Sequence, residues 1–303
     1  MKLIRHKAAL PVLATLSCLL WGSAFPVLKI SNKLLGLVAQ PVTAQILFAG
    51  YRFFLAGILT LCFARAAGLS LRVPRDAWGT LLKIGLLQTA LQYLCFYFGL
   101  FNTTGINGSI ITATGTFFAI ILAHFHYHND ALTLRKWLGL ALGFGGVLTA
   151  TLQGGTGFSF NWLGDGLIMV SSFLGAYSLI LAKDSSRHLD PVIVSGYQLT
   201  LGAGVLILAG GGLVGFDSIR FTAATGGLLL YLAFLSAAAF AIWYTLLKHY
   251  PVSKVSINKF QIPIWGVLLS ALLLPEESLK PVLLLALAAV IAGIFIVHGE
   301  AEV

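Results

Sequence analysis

The chain has 303 residues, 58% of them hydrophobic and only 10% charged, with a mean hydropathy of +0.92. A soluble globular domain carries about 25% charged residues, so this composition excludes a soluble enzyme or binding module and requires a bilayer as solvent. The net charge of +9 would suit a nucleic-acid ligand, but the positions of the charges give it another meaning.

Apolar stretches near the ~20 residues needed to cross a bilayer recur at about 9–28, 43–64, 79–100, 105–125, 133–151, 163–182, 191–213, 226–247, 254–274 and 281–298. Ten spans joined by short connections predict an all-α membrane protein with no soluble domain on either side. The opening MKLIRHKAALPVLATLSCLLWGSAF has the basic end, apolar run and small residues of a signal peptide. Nine spans follow it, so it is read as a retained first helix. Within it, Trp21 is a candidate wall of a solute path. Pro26 lies near the outer end, where the missing N–H makes it a candidate hinge for gating.

With the N-terminus in the cytoplasm, the inner segments hold Lys2, Arg5, Lys7, Arg65, Arg72, Arg75, Arg135, Lys136, Lys183, Arg187, Lys248 and Lys254, and the outer ones only Lys29, Lys33, Arg220 and Lys280. This is the positive-inside bias. It places both termini in the cytoplasm of a plasma (cytoplasmic) membrane protein and sets nucleic acid aside. The expected partners are the lipid bilayer and a small-molecule substrate; a homodimer stays open.

The second span carries Arg52 near its middle, read as a structural or interfacial arginine. The third sets Gln88 and Gln92 one turn apart, on a face shared with Gly85, Cys95 and Gly99, and adds Tyr93 and Tyr97. The fourth begins NTTGINGSIITATGTFF. On a helix, Gly105, Gly108, Ser109, Thr112, Gly115 and Thr116 fall within about 120° of arc. Small residues let membrane helices approach, whereas hydroxyls and amides at membrane depth face the bundle interior or a wet cavity. The stripe therefore predicts a helix that packs through its glycines and presents Thr112 and Thr116 to a hydrated path. Its far end carries His124, His126 and His128. Alternate helical positions point apart and no acid or cysteine stands at ligand spacing, so no metal site is expected.

The sixth span repeats a small-residue stripe at Gly164, Ser171, Gly175, Ser178 and Ala182. The eighth contributes Trp243 and Tyr244 as candidate walls. The ninth groups Ser256, Lys259, Pro263, Gly266 and Ser270 on one face. Lys259 is about five residues into that span, roughly 7–8 Å from its cytoplasmic end, where it either snorkels to the interface or faces the solute. Pro263 is the second candidate hinge.

A shift of 147 places Tyr97 on Tyr244, Phe96 on Trp243, Ser109 on Ser256, Gly146 on Gly293 and Asp130 on Glu277. The chain thus reads as two five-span units, 1–151 and 152–303. Five is odd, so the second enters the membrane inverted, a transporter architecture with solute near the midplane. The mates of Gln88 and Gln92 are apolar Leu235 and Ala239, so the amides mark where solute chemistry breaks the symmetry.

WGSAFPVLK at Trp21–Lys29, NTTGINGSIITATGTFFAIILAHF at Asn102–Phe125 and YPVSKV…IPIWGVLLSALLLPEE at Tyr250–Glu277 resemble the EamA family of the drug/metabolite transporter superfamily over nearly the whole chain. The resemblance implies ten helices in two inverted five-helix repeats, the fifth and tenth peripheral. It implies a central cavity lined by helices one, three, four, six, eight and nine, and export of amino acids and other small metabolites. The chain departs from the family pattern in His128-Asn129-Asp130 and in Asn258-Lys259.

All ten carboxylates lie at span ends or in loops, so no intramembrane acid offers a proton relay. There is no Gly-Lys-Ser/Thr phosphate loop and no cofactor motif. Cys18, Cys62 and Cys95 fall inside spans without metal or redox spacing and read as packing residues. The expectation is a secondary transporter exporting a small metabolite, such as an amino acid or organic anion, by alternating access. Export of a cationic or aromatic drug-like compound is the nearer alternative, since cation–π attraction needs no acid. An intramembrane lipid-modifying enzyme would need a nucleophile–base pair or metal constellation that the spans lack, and a non-transporting scaffold would leave the wet stripes without a use.

Overall fold

The computed structural model describes residues 9–151, 161–274 and 281–299. Both termini, the 152–160 connection and the segment with Glu276, Glu277 and Lys280 lie outside the described residues, and with them part of the charge count and the mate of Asp130.

Ten helices follow one another: α1 Ala9–Leu34, α2 Val42–Ala66, α3 Ala77–Phe101, α4 Gly105–His126, α5 Leu134–Thr151, α6 Trp162–Ser185, α7 Pro191–Val214, α8 Ala223–His249, α9 Val252–Leu273 and α10 Val282–His298. They fall on the ten expected spans. Eight of them are long and apolar enough to cross a membrane, because Leu, Ala, Val, Ile and Phe fill most of their length and the helix satisfies its own backbone groups.

Among the described residues three helices depart from α geometry, and the first turn of α6, Trp162–Gly166, is a π-helix. In α3 the turn at Gly85–Leu91 is a π-helix, centred on Gln88. In α9 residues Ile257–Phe260 tighten to 3₁₀. Pro263 follows them and cannot donate to the Lys259 carbonyl four residues back, so the interior of a regular helix is unavailable there. Pro26, by contrast, is buried within a helix that continues past it to Leu34.

Small residues set the closest approaches. A methyl group on Gly50 would meet Ile207 Cγ1 at 2.8 Å, and one on Gly210 the Leu47 backbone nitrogen at 2.7 Å, so α2 and α7 touch almost backbone to backbone. In the same way Gly139 and Gly293 each face the other's carbonyl, at 2.8 and 2.6 Å, and bind α5 to α10. Without a hydrophobic drive between helices in lipid, such close packing is a main source of association. The pair α5/α10 has a core of its own with Ile120, Leu140, Phe260 and Val290. The largest core joins α1, α2, α3, α4, α6, α7, α8 and α9.

Candidate functional site

Helix α8 organises the interior. Ser236, Phe240, Trp243 and Tyr244 recur at intervals of four, three and one residues, so they form one stripe on a helical face, and all four are buried. Trp21 of α1 meets this stripe edge-on, its ring centroid 5.3 Å from Phe240 and 5.1 Å from Trp243. Phe240 lies edge-on to Tyr244 at 6.1 Å. On the α3 side Tyr93 packs on Phe53 of α2 at 4.4 Å and reaches Tyr97 at 6.4 Å. Phe53, Tyr97, Phe240, Trp243 and Tyr244 belong to one continuous core, with Trp21 and Tyr93 packed against it. Edge-to-face contacts of this kind add about 0.5–1.5 kcal/mol each beyond burial. In this conformation the rings fill the space between the helices.

Two cations face the row. Lys259 does not run out along α9: its Nζ lies 5.7 Å from the centroid of Trp243, a ring with no exposure. It therefore points inward, against the snorkelling alternative. Arg52 is buried in the interior, not at an interface; its Nε donates to Ser236 Oγ at 3.0 Å and its guanidinium carbon stands 4.7 Å over the Phe53 ring. Neither cation has an ion pair among the described residues. Trp243 Nε1 and Tyr244 Oη are buried without a hydrogen-bond partner there.

The glutamines occupy a neighbouring contact. Gln88 Nε2 donates to Gln92 Oε1 at 3.0 Å, and Ser171 Oγ of α6 donates to the Gln92 carbonyl at 2.8 Å. The Gln92 amide lies over Gly175 of α6, 2.9 Å from where a Cβ would stand. Thr89, next to Gln88, donates to Gln198 Oε1 of α7 at 2.7 Å. Gln88 Oε1 and Gln198 Nε2 are buried and unpaired among the described residues. Orphan amides at bilayer depth are uncommon enough to ask for a water or ligand. Gln88 lies at the centre of the π-turn, and such turns favour functional positions.

The α4 hydroxyls are less gathered. Thr112 is exposed and donates to its own helix at the Gly108 carbonyl, 2.7 Å away, whereas Thr116 is buried. Structure thus brings Trp21, Tyr93, Trp243, Tyr244 and Lys259 together, sets Gln88 and Gln92 beside them on the α3/α6/α7 contact, and leaves Thr112 outside the row. Pro263 is half-buried one turn beyond Lys259.

Sequence reasoning missed Arg52 and Ser236 as members of the interior. A central arginine in an apolar span was a signal for the first; for Ser236, one serine among alanines, there was none.

At one end of the bundle a second set of polar groups is fully occupied. Asp130 pairs with Lys136 Nζ at 2.7 Å and accepts from the Ser253 N–H at 3.0 Å and from its hydroxyl, while Lys136 also donates to the Ala131 carbonyl at 2.6 Å. Asp184 accepts from the Tyr127 hydroxyl at 3.0 Å, lies 2.8 Å from His126 Nε2 and faces Arg187. Burial first, and then Asp184, hold the Tyr127 phenol well above its ordinary pKa. His126, Tyr127, Asp184 and Arg187, with Pro74 and Asp76, line a cavity of about 520 Å³ that opens at the helix ends; the Asp130–Lys136 pair is not part of its lining.

A bundle of ten apolar helices enclosing cations, amides and aromatic rings is a multi-pass integral membrane protein with a polar interior. Its profile matches that of the EamA-like transporter family over residues 10–152 and 162–299. The chain belongs to this family and is a membrane transporter. It is 26% identical to "Uncharacterized transporter YvbV" of Bacillus subtilis, over 94% of this chain and 90% of that one. It is 27% identical to "Probable amino-acid metabolite efflux pump" of Escherichia coli, over 94% and 93%, and 23% identical to "S-adenosylmethionine/S-adenosylhomocysteine transporter" of Chlamydia trachomatis, over 94% and 88%. A solved crystal structure shares the fold at a TM-score of 0.77 and 16% identity, covering 94% of this chain and 95% of that one.

Proposed function

We propose that the protein exports a small metabolite, an amino acid or an organic anion, by alternating access as a secondary transporter of the plasma membrane, and that it is not an enzyme. The observation that carries this reading is Lys259, turned inward over Trp243 with no ion pair among the described residues. A charge left unpaired in a dehydrated interior is costly, and an anionic or zwitterionic solute relieves it. Relatives named for efflux of amino-acid metabolites and for transport of S-adenosylmethionine agree with a polar metabolite. The same cation disfavours export of a cationic drug, which it would repel.

Trp21, Tyr93, Trp243 and Tyr244 are the proposed walls, Gln88, Gln92, Thr116 and Lys259 the proposed polar contacts, and Pro26 and Pro263 the proposed hinges; Thr112, exposed on α4, is not among them. Two inverted repeats, 1–151 and 152–303, are supported by the packing. The principal partnerships α1/α9, α1/α8, α2/α8 and α2/α7 turn into α6/α4, α6/α3, α7/α3 and α7/α2 when each helix is exchanged for the one five places on, and all of these contacts occur. Both termini are proposed to be cytoplasmic.

Counterflow into proteoliposomes of the purified chain, across a panel of amino acids, organic acids and neutral isosteres, tests the function. Movement of no solute above protein-free vesicles would sink it. Orientation is checked by labelling Val38→Cys and Arg72→Cys in intact cells: the first should react from outside and the second should be protected.

A further inference from the structure

Arg52 is 4% exposed and sits in the middle of an apolar helix. A guanidinium has five N–H donors. Only the Nε donor is used within the described residues, on Ser236 Oγ at 3.0 Å. Ser236 in turn donates to the Leu232 carbonyl at 2.8 Å, so its lone pairs are held towards the arginine. Phe53 lies under the guanidinium carbon at 4.7 Å and limits its tilt. The side chain is fixed at one end of its fork, and the four donors of the two Nη atoms remain. These Nη atoms are not among the sealed, unpartnered atoms of the interior, so each keeps a small surface that water can touch.

The described acids are committed elsewhere: Asp130 to Lys136, Asp184 to His126, Tyr127 and Arg187, Asp165 to Thr103 and Asn161, and Asp190 to the start of α7. Asp217 and Asp76 lie in connections at the helix ends. An arginine cannot escape the cost of burial by losing its proton, and leaving a buried cation without a counter-ion costs several kcal/mol. The geometry answers with a planar pair of donors of the kind that carboxylates accept in bidentate fashion, next to Phe53 and Tyr93.

We propose that Arg52, positioned by Ser236, is the docking point for a carboxylate of the transported solute, with the apolar body of that solute lying along the Phe53–Tyr93 rings. This rests on the transport reading above and deepens it: the solute class is an organic acid with an apolar or planar body. Ser236 is a positioning residue, and Arg52 is the group that touches the solute. Ser236 and Trp243 are seven residues apart on α8, about 10 Å along the axis. Arg52 and Lys259 are therefore stations at different depths of one path and do not share a single carboxylate.

The test uses the full chain in lipid nanodiscs, with quenching of intrinsic tryptophan fluorescence as the binding readout. Propanoate, 3-phenylpropanoate and 3-phenylpropanamide are the probes. The wild type should bind 3-phenylpropanoate at least tenfold more tightly than the amide, and more tightly than propanoate. Arg52→Gln should abolish the preference for acid over amide, Arg52→Lys should retain a weakened preference, and Ser236→Ala should lower acid affinity several-fold while leaving amide binding unchanged. Ser236→Ala and Arg52→Lys keep the test informative if Arg52→Gln folds poorly. Equal binding of acid and amide by the wild type, or an undiminished preference in folded Arg52→Gln, would overturn the proposal. Counterflow of the same acid separates the two readings. Arg52-dependent binding without movement across the membrane would count against export of such acids and leave the docking site standing. Movement unaffected by Arg52→Gln would do the reverse.

Discussion

Lys136 and Arg52 are both buried cations in one helical bundle, and they are built in opposite ways. Lys136 has an acid, Asp130, at 2.7 Å and a carbonyl at 2.6 Å, and Asp130 also receives both donors of Ser253, at the start of α9. Its charge is spent on joining the α4–α5 connection to α9. Arg52 has a serine and an aromatic ring, and no acid among the described residues. The first arrangement is a clamp. The second is a site, because an unspent charge in a dry interior gains most from something that arrives and leaves. Removing a member of a clamp should cost stability; removing an unspent cation should cost function and little else.

The largest effect should come from cutting the clamp. Asp130→Ala strands the Lys136 ammonium and two Ser253 donors, and breaking a buried pair on one side costs about 3–5 kcal/mol. Thermal unfolding of the detergent-solubilised protein should show a strongly lowered midpoint, and Asp130→Ala/Lys136→Met should recover much of it. A single mutant as stable as the wild type would erase the distinction between clamp and site.

Asp165 sharpens the comparison from the anion side. It is fully buried and spent on neutral donors, the Thr103 hydroxyl at 2.5 Å and the Asn161 N–H at 2.8 Å. Thr103→Val removes one donor and leaves the carboxylate under-satisfied, an expected loss of about 1–3 kcal/mol by the same measurement. No change would mean that this carboxylate is satisfied without the hydroxyl.

Gln92 lies between the classes, because its Oε1 is used by Gln88 while its amide lines the α6 contact. Gln92→Leu should impair transport and also cost about 1 kcal/mol of stability, from the stranded Gln88 amide. Transport kinetics identical to the wild type would return Gln92 to packing.

Lys259→Met should show the smallest stability effect, within about 0.5 kcal/mol or slightly stabilising, since apolar replacement of a buried charge is often neutral or better. Initial rates for a carboxylate solute should nevertheless fall about tenfold more than those for a neutral solute of similar size, because a charge in a partly dehydrated cavity acts more strongly than in water. Equal losses for both solutes, at matched protein levels, would remove the electrostatic role.

Much of this was legible in the residues. The ten helices followed from hydropathy, because every backbone group in lipid must be satisfied within its own segment, and eight of them are long and apolar enough to span. The inward direction of Lys259 was legible only as one of two alternatives. What chose between them was Trp243, sixteen positions earlier on another helix. The π-turn at Gln88 and the outward placement of Thr112 were not legible. Both depend on how α3 and α4 meet α6 and α7, and a single-helix projection fixes angles around one axis without fixing a neighbour's position.

By itself the sequence determined the solvent, the number of helices, and which helices carry polar residues at membrane depth. These are properties of segments about 20 residues long, in which the cost of transfer is additive and local. Only the tertiary structure decided which charges are spent. Arg52 meets Ser236 across 184 residues of chain and Asp130 meets Ser253 across 123. Whether a buried cation is a clamp or a site depends on an acid being within reach, and that distance is set by the packing of helices that share no local sequence.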